Sequence, residues 1–181
     1  MKRFLFLAAL VAAPVFAAEL EGVTSPDTVT VEGKTLKLNG MGLRMKFVFK
    51  VYVASLYVES TSTNAADLIK ADGVRRVELK MLRDLEKKAV VDAINEGFEK
   101  NSGAGLPALK ERLAKFTEKI TDIKKGSSLI IQYVPGKGTV VEGGKDTYVA
   151  EGKDFADALF SVWLGSKPVD DGLKKGMLGA K

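Results

Sequence analysis

The sequence contains neither cysteine nor histidine, and these two absences exclude several classes of protein. Without cysteine the chain forms no disulfide, so its hydrophobic core alone must hold the fold together. Without histidine it has no Ser-His-Asp or Cys-His catalytic site, no imidazole base and none of the usual zinc or haem ligands. No Asp-rich loop has the spacing of a calcium site either. We therefore expect no metal and no cofactor.

The first 17 residues have the pattern of a secretory signal. Lys2 and Arg3 precede an apolar stretch, residues 4–13, and a small-residue cleavage site ends at Ala17. The apolar stretch is shorter than the ~20 residues that span a bilayer, which favours a cleaved signal over a membrane anchor. The sequence thus predicts a periplasmic or secreted protein with one domain over residues 18–181 and no stable membrane span.

The charge of the predicted mature chain argues against nucleic acid as a partner. Cleavage removes Lys2 and Arg3 and leaves a net charge of +3, with basic and acidic residues dispersed along the chain. Nucleic-acid-binding domains carry a stronger and more clustered positive charge.

The N-terminal half has the alternation of β-strands. Thr28–Val31 and residues 34–38 are predicted strands joined at a turn, and Gly40 and Gly42 are predicted to end the pattern. Residues 45–58 are then largely apolar at both odd and even positions, which predicts one long strand covered on both faces.

The rest of the chain alternates helices with further strands. Helices are predicted at 64–71, 84–100, 106–120, 155–164 (capped by Asp154) and from 168–171 to about 178; strands are predicted at 74–81, 128–134, 139–142 and 146–150. This order indicates a single α+β domain with helices layered on an antiparallel sheet.

Polar side chains at the start of the apolar strand are the strongest candidates for a site. Arg44 and Tyr52 lie on one parity of the predicted strand, where a guanidinium and a phenol can hold an acid while apolar neighbours surround its body. In a straight strand, however, eight residues separate them by roughly 26 Å. They can hold one carboxylate only if the glycine-rich segment folds back or a bulge shortens the path.

The chain resembles the chalcone isomerase-like family, in particular its exported bacterial members and the plant fatty-acid-binding relatives. The stretches that carry the resemblance occur in the family's order over nearly the whole predicted mature chain: residues 40–44 (GMGLR), 50–58 (KVYVASLYV), 129–136 (LIIQYVPG), 155–165 (FADALFSVWLG) and 168–170 (PVD). The resemblance implies an open-faced β-sandwich, in which a large antiparallel sheet is covered by a layer of helices and a ligand cleft lies between them.

The resemblance also implies what the site residues do. Arg44 matches the arginine that orients the substrate in true chalcone isomerases. Its catalytic partners are not matched: Tyr52 replaces a strand threonine, the helix at 84–100 has no tyrosine, and Val162 replaces a second threonine. Each lost hydroxyl donor removes about 3 kcal/mol of oxyanion stabilisation. The arginine and tyrosine pair resembles instead the non-catalytic fatty-acid-binding branch, in which these residues hold the carboxylate.

Three hypotheses follow from the sequence. The first is a periplasmic binding protein for a fatty acid or a similar amphipathic carboxylate, with Arg44 and Tyr52 as ligand-binding residues and no catalytic residue. The second is an intramolecular lyase or isomerase that acts on a phenolic enone. The third is a structural or partner-binding envelope protein that uses the fold without a small-molecule site.

Overall fold

In the computed structural model, which describes residues 17–142 and 148–180, helices and strands alternate as a single α+β domain. The elements are, in chain order, β1 (Ala17–Leu20), β2 (Val23–Pro26), β3 (Thr28–Val31), β4 (Lys34–Lys46), β5 (Phe49–Val58), α1 (Ala65–Lys70), β6 (Arg75–Met81), α2 (Lys87–Ser102), a 3₁₀ turn (Gly103–Gly105), α3 (Leu106–Glu118), β7 (Ser128–Val134), β8 (Gly138–Glu142), β9 (Val149–Ala150), α4 (Lys153–Leu164) and α5 (Asp171–Met177).

The seven strands β3 to β9 form one antiparallel sheet in sequence order, and β1 pairs with β2 in a separate hairpin. Helices α2, α3, α4 and α5 contribute to one large apolar core together with β5 to β9. A smaller cluster around Leu36 and Tyr57 lies apart from this core. The predicted fold, a large antiparallel sheet covered by helices, is confirmed.

The predicted long strand at 45–58 is wrong, because the chain reverses within it. Strand β4 runs on through the glycines to Lys46, residues 47 and 48 form a turn, and β5 returns antiparallel to β4. From Val51 to Val58 every residue of β5 is buried, so the prediction that both faces are covered holds for the returning strand. Continuous apolarity does not reveal a two-residue turn, because the turn residues here are Phe and Val.

The sequence analysis predicted that Gly40 and Gly42 end the strand pattern, and this prediction is wrong. Both glycines lie inside β4. A Cβ atom on Gly42 would lie 2.2 Å from the carbonyl oxygen of Leu173, and one on Gly40 would lie 2.3 Å from that of Gly176. These distances are far below van der Waals contact, so the glycines let α5 lie directly on the strand.

Two helix starts also differ from the prediction. Helix α2 begins at Lys87 instead of residue 84, because Asp84 accepts hydrogen bonds from Lys124 Nζ and Lys125 N, both at 2.9 Å. Helix α4 begins at Lys153 after Gly152, and Asp154 binds Arg112 instead of capping the helix. Asn64, where the predicted first helix starts, is the N-cap of α1, and Asp170, within the predicted start of the last helix, is the N-cap of α5.

Two sequence predictions lie wholly or partly outside the described residues. These are the signal over residues 1–17, of which only Ala17 is described, and the first half of the strand at 146–150. Within residues 17–142 and 148–180, no helix has both the length and the apolar character needed to cross a bilayer.

Candidate functional site

A cavity of about 350 Å³ lies between the sheet and helix α2. The sheet contributes Val51, Leu79 and Met81, and α2 contributes Ala89, Val90, Ala93 and Ile94. The end of α4 and the loop after it close the cavity with Val162, Trp163 and Val169, while charged and aromatic side chains line it near the turn between β4 and β5. This volume is at the lower end of the ~300–1,000 Å³ that small-molecule sites occupy.

Both residues predicted to form a site, Arg44 and Tyr52, line this cavity. They are directly opposite each other on β4 and β5, and a shift in register follows at once between Arg44 and Met45. Directly opposite residues have Cβ atoms only about 5 Å apart, so the separation of ~26 Å in a straight strand does not apply. The chain folds back at the hairpin turn of residues 47 and 48, and not at the glycine-rich segment where the sequence analysis had placed a possible reversal.

The guanidinium of Arg44 is held in place by the backbone carbonyl of the next residue and by the side chain of Asp170. Its Nη1 donates to the carbonyl oxygen of Met45 and to Asp170 Oδ2, the latter at 3.1 Å. Both side chains of the ion pair are largely buried, with 19% of Arg44 and 17% of Asp170 exposed. Among the residues that the structure describes, Nε and Nη2 have no acceptor, so these donors remain available to a carboxylate or other oxyanion.

Asp170 is itself fixed by three contacts. Its Oδ1 accepts from the backbone N–H of Leu173 at 2.9 Å as the N-cap of α5, while Oδ2 also accepts from the backbone N–H of Met45 at 3.3 Å. Asp170 therefore ties β4 to α5 and orients Arg44 at the same time.

The hydroxyl of Tyr52 accepts a hydrogen bond from Trp163 Nε1 at 3.1 Å. Burial raises the pKa of Tyr52 to about 12, and the hydrogen bond from Trp163 and the nearby charge of Arg44 oppose that rise in pKa. The phenol therefore stays neutral at physiological pH, and its proton can be donated to an anion in the cavity.

Sequence reasoning missed two residues that complete this site. The sequence placed Trp163 in a predicted helix and Asp170 at the predicted start of the last helix; Trp163 is buried in α4, and Asp170 is the N-cap of α5. Their contacts to Tyr52 and Arg44 span more than 100 residues of sequence and leave no local pattern. The only signal was their position within two of the stretches, 155–165 and 168–170, that carry the family resemblance.

At two places where the sequence lacks the hydroxyl residues of true chalcone isomerases, the cavity wall is apolar. Val162 lines the cavity beside Trp163, so the wall at this point is apolar and offers no hydroxyl. No tyrosine lies in α2, whose contribution to the cavity is also apolar. Arg44 and Tyr52 therefore offer hydrogen-bond donors beside this apolar wall, and Lys46 and Arg83 also line the cavity.

Comparisons with known proteins agree with this architecture. A search of curated proteins finds no match. Among solved structures, the crystal structure of a fatty-acid binding protein of Arabidopsis thaliana superposes with a TM-score of 0.68 at 17% sequence identity, over 90% of this chain and 96% of that one. At this identity the likeness establishes the fold alone. The family model described as chalcone isomerase-like matches residues 17–179, nearly the whole described chain, and the protein belongs to the chalcone isomerase-like family.

Proposed function

We propose that this protein binds a fatty acid or a similar amphipathic carboxylate in the cavity between the sheet and α2. The observation that carries the proposal is the placement of Arg44 and Tyr52 together in an otherwise largely apolar cavity. A guanidinium with two available donors and a neutral phenol suit a carboxylate head group, and the aliphatic walls suit a hydrocarbon tail.

The tail and the head group of such a ligand contribute differently to the binding free energy. Burying ~12 methylenes contributes roughly 10 kcal/mol, against about 4–15 kcal/mol for the freedom lost on association. A charge-assisted hydrogen bond adds about 1.5–3 kcal/mol, which is enough to select acids over alcohols. The apolar walls thus supply most of the affinity, and Arg44 sets the selectivity.

Two further observations support this proposal. The solved structure with the same fold is described as a fatty-acid binding protein, which makes this ligand class the first to test. The apolar wall at Val162 lacks the hydroxyl that the isomerase hypothesis requires.

The signal pattern at residues 1–17 supports a periplasmic location, which cell fractionation with an antibody against the protein would test.

The test is a titration of the purified protein with a fluorescent fatty acid, in the wild type and in Arg44→Gln. Glutamine keeps the unbranched aliphatic stem and a polar amide, but it removes the positive charge and the nitrogen atoms that reach Asp170. We expect affinity for the acid to fall about tenfold or more, the equivalent of ~1.4 kcal/mol, while affinity for the corresponding alcohol changes little.

Two variants serve as controls. Arg112→Gln removes a surface guanidinium that pairs with Asp154 away from the cavity, and it should leave binding unchanged. Ala93→Leu extends a cavity-lining side chain and should weaken acid and alcohol alike. The proposal fails if the wild type binds no acyl ligand in the titration and native mass spectrometry finds none. Cyclisation of a chalcone above the buffer rate would favour the isomerase hypothesis instead.

A further inference from the structure

The turn between β4 and β5 exposes three consecutive large apolar side chains. Phe47 is 90% exposed, Val48 81% and Phe49 55%, and the only other large apolar side chain exposed in the described part of the chain is Val149. We refer to residues 46–50 as the hairpin tip. An apolar group concentrated in this way marks an interaction surface, whereas single exposed apolar residues are ordinary.

The backbone of the tip is also unfavourable for the residue it carries. Phe47 is the first of the two turn residues and has φ 55, a conformation that glycine adopts freely and that bulky residues rarely adopt. A solvent-exposed phenylalanine at this position gains nothing from the core and strains its backbone. Stability therefore does not account for Phe47, and its exposure and strain point to an interaction outside the chain.

Basic side chains flank these apolar side chains. Lys46 and Lys50 flank the turn, and the guanidinium of Arg83 lies 4.9 Å from the ring centroid of Phe49. Lys50 and Glu21 neutralise each other as an ion pair at 2.5 Å, and Asp84 is paired with Lys124 at 2.9 Å. Lys46 and Arg83 form no ion pair with the described residues, so they carry the positive charge of this region. Glu86 is the remaining exposed acid that lines the cavity on this side.

We propose that the hairpin tip docks this protein on an anionic phospholipid membrane. Apolar and aromatic side chains enter the headgroup region while the adjacent lysine and arginine side chains meet anionic lipids. A second copy of the chain is a poorer occupant, because a stable dimer buries about 800 Å² per partner and three side chains at about 200 Å² each at most fall short of that.

The hairpin tip lies beside the cavity, so docking would also position the cavity. Lys46, Phe47, Phe49 and Arg83 all line the cavity, so a docked tip would place the cavity entrance at the bilayer surface. Taken with the proposed function, an amphipathic acid could then enter from the membrane without crossing bulk water. The docking itself does not depend on the identity of the ligand.

The test is flotation of the purified chain with vesicles of phosphatidylcholine, with or without about a third of phosphatidylglycerol. We expect binding to the anionic vesicles that weakens at high salt, because salt screens the contribution of lysine and arginine. Val48→Asp should reduce this binding about tenfold or more, since it replaces an apolar contact by a repelled charge. Val48 does not line the cavity, so the titration with fluorescent fatty acid in the absence of vesicles should be unaffected.

A second variant separates docking from folding. Phe47→Gly places glycine where the backbone favours it, so we expect equal or greater stability in urea together with loss of vesicle binding. Val149→Ser, on β9 at the edge of the sheet, should retain binding. Failure of the wild type to float, or equal flotation of all variants, would overturn the inference. A tip variant that changes only the sedimentation mass would identify self-association and overturn it as well.

Discussion

Single residues set the chemistry of the cavity, and Tyr52 shows how. Its hydroxyl is buried, accepts from Trp163 Nε1 and faces the charge of Arg44 across the strand pair. Burial raises its pKa to about 12, so the residue acts as a neutral donor and cannot serve as a base near neutral pH. The same desolvation links this residue to the stability of the fold at alkaline pH.

The folded-state pKa of Tyr52 lies above the ordinary value of 10.0, so the unfolded chain loses this proton at lower pH than the folded one. The contribution of Tyr52 to the free energy of unfolding is therefore fully present below about pH 10 and is lost as pH rises toward 12. The free energy of unfolding should fall by about 1 kcal/mol per pH unit in this window from Tyr52 alone. Urea unfolding at pH 8, 10, 11 and 11.5 should therefore show a shallower decline for Tyr52→Phe than for the wild type.

The slope, and not the stability at neutral pH, is the informative quantity in that experiment. Tyr52→Phe also leaves Trp163 Nε1 without its acceptor, which lowers stability at every pH. Burial also raises the pKa of Tyr133 to about 12, so the variant keeps part of the decline. Identical slopes in both proteins would show that Tyr52 ionises as readily folded as unfolded.

At the scale of elements, the packing of α5 on β4 positions Asp170 beside Arg44 at the cavity. Gly176 of α5 approaches β4 so closely that a Cβ atom on it would lie 2.3 Å from the carbonyl oxygen of Met41, which adds to the close contacts at Gly40 and Gly42. The N-cap of the helix is Asp170, the ion-pair partner of Arg44. A helix displaced from the strand would therefore also disturb the guanidinium.

Gly42→Ala should destabilise the protein by about 2 kcal/mol or more, because its methyl group would meet the backbone of Leu173 at 2.2 Å and backbone cannot give way as a side chain does. Urea unfolding measures the loss, and weaker fatty-acid binding should accompany it. Gly105→Ala is the matched control, since Gly105 has φ −77 and open space around its Cβ position. Equal stabilities of the two variants would contradict the packing role of Gly42.

At the scale of the whole molecule, the domain is held together by its hydrophobic core. The chain has no cysteine, and its large core joins strands β5 to β9 with helices α2 to α5. A ligand that binds only the folded state adds its binding free energy to the stability of this core.

A saturating fatty acid, at about 100 times its dissociation constant, should therefore stabilise the protein by about 2.7 kcal/mol and raise Tm by roughly 5–10 °C. Differential scanning fluorimetry or calorimetry measures the shift. The alcohol of the same chain length is the matched ligand and should give a smaller shift at equal concentration. Equal shifts for acid and alcohol would show that Arg44 does not select the head group.

The outlines of the fold could be predicted because hydrophobic periodicity is a local property. Strand β6 buries alternate residues from Arg75 to Met81, and α3 buries Leu109, Leu113 and Phe116 at helical spacing, as the sequence indicated. The turn at Phe47 and Val48 could not be predicted, because neither residue type favours a turn and the sequence pattern does not indicate the positive φ of Phe47.

The sequence by itself determined the α+β class, the absence of disulfide and histidine chemistry, and Arg44 and Tyr52 as the residues to examine. Only the tertiary structure decided that these two residues meet, since their distance depends on a hairpin turn between them. It alone decided that Asp170 and Trp163 join them from elements more than 100 residues away. Periodicity reports which face of an element is buried, whereas a site depends on which elements the folded chain brings together.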